Sequence, residues 1–62
     1  MVVFYARADD SMGLAVRVVE NYSLDFPYKL VMMDLDADCY TTVLYKDLQA
    51  AIKYAERFFE FN

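Results

Sequence analysis

Met12-Gly13-Leu14-Ala15-Val16-Arg17-Val18-Val19-Glu20-Asn21-Tyr22 decides the fold, because this stretch reads in two ways. At helical spacing, Gly13, Arg17, Glu20 and Asn21 fall on one stripe and Met12, Ala15, Val16, Val19 and Tyr22 on an apolar one. Asp10 or Ser11 then stands where an N-cap belongs. As a strand, the same stretch has Val16, Val18 and Val19, whose β-branched side chains suit a pleated surface. The stripe pattern predicts a helix over residues 12–22, and the second strand of a hairpin is the alternative.

The flanking segments are less ambiguous. Val2-Val3-Phe4-Tyr5-Ala6 is β-branched and aromatic and predicts a strand that stops at Asp9-Asp10-Ser11. Ser23-Leu24-Asp25-Phe26-Pro27 reads as a connector, since Pro27 pushes Phe26 out of helical geometry. Residues 28–35 and 39–45 are short apolar runs, close enough to pair as an antiparallel hairpin around Asp36-Ala37-Asp38. Their faces are nearly all apolar, so this hairpin is expected to keep little free surface.

From Lys46 the period becomes helical. Leu48, Ala51, Ile52, Ala55, Phe58 and Phe59 recur on one face, Asp47 suits the positive start of the helix, and Gln49, Lys53, Glu56 and Glu60 form the solvated stripe. Ala50, Tyr54 and Phe61 make a third, displaced apolar stripe, so Tyr54 and Phe61 are a candidate interface. The expected architecture is a single α+β domain over residues 1–62: a small two-layer antiparallel sheet with helix packed on one face. Its order is β-α-β-β-α, or β-β-β-β-α if residues 12–22 are a strand.

Composition narrows the function. A 62-residue chain has a marginal core, and the usual reinforcements are disulfides, a metal or a partner. Cys39 is alone and histidine is absent, which removes an internal disulfide and a structural zinc site. Apolar residues make up 60% of the chain, above the roughly 45–50% of ordinary soluble domains, and six tyrosines and five phenylalanines supply much of the excess. That surplus implies surface covered by a partner.

The net charge of −4 disfavours direct binding to nucleic acid or anionic membrane and favours a basic partner. Tyr40 and Tyr45 could stack on bases, but Arg7, Lys29 and Lys46 are too scattered to track phosphates. With no apolar run of membrane-spanning length and no signal-like start, the expected location is the cytoplasm.

The one stretch that looks chosen for chemistry is Asp34-Leu35-Asp36-Ala37-Asp38. It opens like a calcium loop, but that motif's sixth position needs glycine and holds Cys39, and its twelfth needs glutamate and holds Tyr45. No metal site and no cofactor are therefore expected. Two readings remain: a solvated turn stabilised by aspartate side chains, or a carboxylate row. Alternate residues of an extended chain lie ~6.6–6.8 Å apart on one side, a spacing that can face a basic groove. Asp9 and Asp10 join that row if the first strand ends at the same side of the sheet. Gly13, the single glycine, cannot build a phosphate loop, and the carboxylates lack an enclosing cleft, so an enzyme is not expected.

In size, acidity and lack of catalytic residues the chain resembles small phage-encoded inhibitors, including anti-CRISPR proteins and nucleic-acid mimics. The likeness is one of overall character, with no motif attached. It implies an acidic protein–protein interaction module that blocks a basic surface of a nucleic-acid-handling complex, in the host cytoplasm if the chain is viral. The alternative is a homo-oligomeric structural or accessory subunit, with a homodimer as its simplest form.

Overall fold

The computed structural model describes residues 2–60. Four strands, β1 (Val3–Asp9), β2 (Leu14–Glu20), β3 (Tyr28–Asp34) and β4 (Cys39–Tyr45), precede one helix, α1 (Leu48–Phe58). The protein is thus α+β, with a four-stranded antiparallel sheet in which β1, β2, β3 and β4 lie side by side in chain order. Phe61, half of the candidate interface drawn from the helical stripes, falls outside the described residues.

Residues 12–22 do not form a helix: Leu14–Glu20 is a strand, which corrects the β-α-β-β-α order in favour of four consecutive strands. Side-chain direction gives the reason. Leu14, Val16 and Val18 belong to the core cluster shared with Ala51, Ala55 and Phe59 of the helical segment. Ala15 and Val19 point the other way and are nonetheless buried. A central strand buried on both sides shows no apolar–polar alternation, so its pattern can imitate a helical stripe.

The register carries this division across the sheet. Val18 faces Leu30, which faces Val43, and Val16 faces Met32. Leu30 and Val18 are fully enclosed, with Tyr5, Met32, Tyr45, Leu48, Ile52 and Phe58 packed around the cluster. Among the described residues no helix lies over the reverse side of the sheet. There Ala6, Arg17, Val31 and Thr42 form one cross-strand row, and Val19, Lys29 and Leu44 another.

The helix begins where the sequence places it. The Asp47 carboxylate accepts a hydrogen bond from the Gln49 backbone N–H at 3.2 Å, satisfying one of the donors that a helix start leaves open. Such a cap contributes about 1 kcal/mol. Because Tyr45 lies opposite Tyr28, α1 starts at the end of the sheet that carries the 21–27 connector and runs back along it. At its far end the Phe59 ring lies under the Arg7 guanidinium, 4.3 Å from carbon to ring centre. Tyr45 and Tyr54 rings lie 6.4 Å apart, and burial, with Tyr54 adding to it, pushes the Tyr45 phenol above its ordinary value.

The connector holds itself together through its own side chains. Asn21 Nδ2 donates to the Phe26 carbonyl at 2.7 Å, and the Asn21 backbone N–H donates to the Pro27 carbonyl at 2.8 Å. Leu24 at its tip is fully exposed.

Candidate functional site: an acidic end built from two turns

The β1–β2 turn and the β3–β4 turn lie at one end of the sheet, and each is organised by the aspartate that closes its first strand. Asp9 Oδ1 accepts from the Ser11 hydroxyl at 2.6 Å and from the Ser11 and Met12 backbone N–H groups at 3.0 and 3.3 Å. Asp34 Oδ1 accepts from the Asp36 and Ala37 backbone N–H groups at 3.1 and 3.2 Å. Both are turns in which the side chain stands in for a backbone acceptor, the property that enriches aspartate at such positions. Leu14 lies opposite Asp34, and the Leu35 backbone N–H donates to the Gly13 carbonyl at 2.8 Å, which ties one turn to the other.

The five candidate aspartates therefore share one end but not one role. Asp9 and Asp34 are engaged as turn acceptors, whereas Asp10, Asp36 and Asp38 are exposed and their side chains make no hydrogen bond among the described residues. The evenly spaced carboxylate row is corrected: residues 35–38 form a turn and Asp38 takes the left-handed conformation with φ 52°, so extended-chain spacing does not apply. Among the described residues, no three His, Cys, Asp or Glu side chains gather closely enough to hold a metal ion.

Hydrogen bonding also tunes the end. The Ser11 hydroxyl first, then the Met12 backbone N–H, hold the Asp9 carboxyl below its ordinary value of 3.8. Since the folded carboxyl releases its proton more readily than the unfolded one, its stabilisation of the turn is complete above pH 3.8 and fades as pH falls through the lower folded value. Carboxyl chemical shifts followed by NMR are expected to place the Asp9 midpoint below that of unfolded chain. In Ser11→Ala the midpoint moves up towards the ordinary value.

The helix contributes to the same end. Phe58 lines a shallow hollow with Leu14, Met32, Asp34, Cys39 and Thr41, so the C-terminus of α1, where a helix carries partial negative charge, points towards the acidic turns. Cys39 is an exposed free thiol. The 39–45 strand is likewise not enclosed as expected: Tyr40 and Leu44 retain 71% and 45% of their surface. Tyr54, the described part of the helical interface candidate, is 51% exposed and lies far from the acidic turns, near Tyr45.

Sequence reasoning left open whether Asp9 and Asp10 join the other three aspartates, and the register of β2 with β1 and β3 brings the two turns together. The signal was present in two Asp-containing turns two strands apart, but their neighbourhood depends on residues 14–20 being a strand. No helix is long and apolar enough to cross a membrane among the described residues. Comparison with protein-family models, with curated proteins and with solved structures found no match.

Proposed function

We propose that this protein is a non-catalytic binding module that presents its acidic end to a basic surface of a larger partner, as an inhibitor of the nucleic-acid-mimic kind. The observation that carries this reading is the Leu35 to Gly13 hydrogen bond, which fastens two acidic turns into one patch. Asp10, Asp36 and Asp38 keep their carboxylates available there, and a fixed backbone lowers the cost of ordering them on binding. A partner surface that normally holds nucleic acid offers the clustered Lys and Arg such a patch meets. Contact area comes from apolar side chains outside the patch, since exposed ion pairs alone contribute little.

The test is the triple variant D10N/D36N/D38N, which leaves the turn acceptors Asp9 and Asp34 in place. Each exposed pair is worth about 0.2–1 kcal/mol, so with three removed, partner affinity is expected to fall about 3–150-fold at low salt. Immobilised wild type is expected to capture a basic nucleic-acid-handling complex from cells of the source and to release it at high salt. Equal capture by the triple variant, unaffected by salt, overturns the reading.

A further inference from the structure

The two edges of the sheet are built differently. β1 is broken by a register irregularity between Val3 and Tyr5 and carries Arg7 and Asp9, the devices by which proteins keep an edge from pairing with another chain. β4 has neither. Its seven residues, Cys39-Tyr40-Thr41-Thr42-Val43-Leu44-Tyr45, contain no charge and no proline, and they pair with β3 in unbroken register. Among the described residues β3 is the only strand beside it, so one side of its backbone is open.

The residues bounding this edge are of opposite sign, Asp38 before it and Lys46 after it. We propose that β4 pairs antiparallel with β4 of a second copy of this chain, about a two-fold axis at Thr42, making one eight-stranded sheet. In that register residues equidistant from Thr42 face each other. At each end of the seam Asp38, in the turn just before β4, comes to the same end as the partner's Lys46, just after β4, and the uncharged strand lies between them. Tyr40 stands opposite the partner's Leu44 on the helix-free side, so the two exposed apolar side chains of the edge cover one another twice. Thr42 faces its own symmetry mate, a pairing that β-branched hydroxyl residues favour. The axis is perpendicular to the sheet, so both helices lie on the same side and neither crosses the seam.

A second copy fits this edge better than an unrelated extended segment, because the sequence from 38 to 46 complements itself in charge when reversed. The seam is independent of whether the acidic end binds a basic partner, since it uses the side of β4 and not the tip of the turn. Asp38 is the one residue common to both.

Sedimentation of the full chain across a wide concentration range is expected to show a reversible monomer–dimer equilibrium. Thr42→Lys sets two like charges opposite each other at the axis on an exposed position, so dimer is lost while circular dichroism and the thermal midpoint of the monomer are retained. Lys46→Asp weakens the dimer by bringing another acid near Asp38, and D38N/K46D, with a residue that tolerates the left-handed turn, restores part of it. T42K still captures a basic partner, which separates the two readings. A wild type that is monomeric at every concentration, or a dimer that neither T42K nor K46D weakens, overturns the pairing.

Discussion

Replacing Leu30 with alanine is expected to leave the protein largely unfolded at ambient temperature. Leu30 is fully enclosed, flanked by Val18 on one side and Val43 on the other, and belongs to the cluster that joins the sheet to the helix. Removing a buried leucine side chain costs about 2–5 kcal/mol, from lost transfer free energy plus the cavity left behind. A single core in a chain of this length supplies only ~3–5 kcal/mol, so the loss consumes most or all of it. Urea denaturation followed by circular dichroism provides the measurement, with Leu24→Ala as the control. Leu24 is fully exposed, so its truncation is expected to stay within about 0.5 kcal/mol of wild type. A Leu30→Ala protein that keeps the wild-type midpoint would place the stabilising contacts elsewhere.

Gly13→Ala is expected to cost about 1–3 kcal/mol and to disturb the acidic end at the same time. Two terms contribute. Gly13 sits at φ 67°, in the left-handed region that an L side chain resists, and an added Cβ lies 2.9 Å from Asp36 Cγ. The backbone there cannot relax freely, because the Gly13 N–H donates to the Asp10 carbonyl and its own carbonyl accepts from Leu35. A double-mutant cycle with Asp36→Ala separates the terms. Asp36 is exposed and can swing aside, so removing its side chain is expected to recover little, and most of the loss reports the left-handed backbone. Strong coupling between the two substitutions would instead make the close approach of the turns what requires glycine at this position.

Asp47 as helix start and the Leu48, Ala51, Ile52, Ala55, Phe58, Phe59 face were legible because a surface helix has one wet side and one dry side, and that contrast is written directly into its period. The 28–35 and 39–45 strands were legible from short apolar runs bracketing an aspartate-rich turn, with β3 ending at Asp34 because its side chain closes that turn. Residues 14–20 were not. Ala15 and Val19 are buried on the helix-free side, so the apolar–polar contrast that marks a strand is missing there.

That one element governs the candidate site. With a helix between the first and third elements, nothing fixes where Asp9 and Asp10 lie relative to Asp34. With a strand, Asp9 pairs with Leu14 and Leu14 with Asp34, and the two turns become neighbours. The exposure of Tyr40 and Leu44 was equally hidden, since an apolar strand reads the same whether it lies inside a sheet or at its rim.

A small acidic α+β chain without histidine, its C-terminal helix and its last hairpin were readable from the residues alone, because these rest on composition and on patterns contained within a few residues. Only the folded chain decides that β2 is a strand, that the two acidic turns are neighbours and that β4, among the described residues, has a strand on one side only. Each of those depends on which segments lie side by side, and neighbourhood is set by long-range pairing, where burial on both faces outweighs local periodicity.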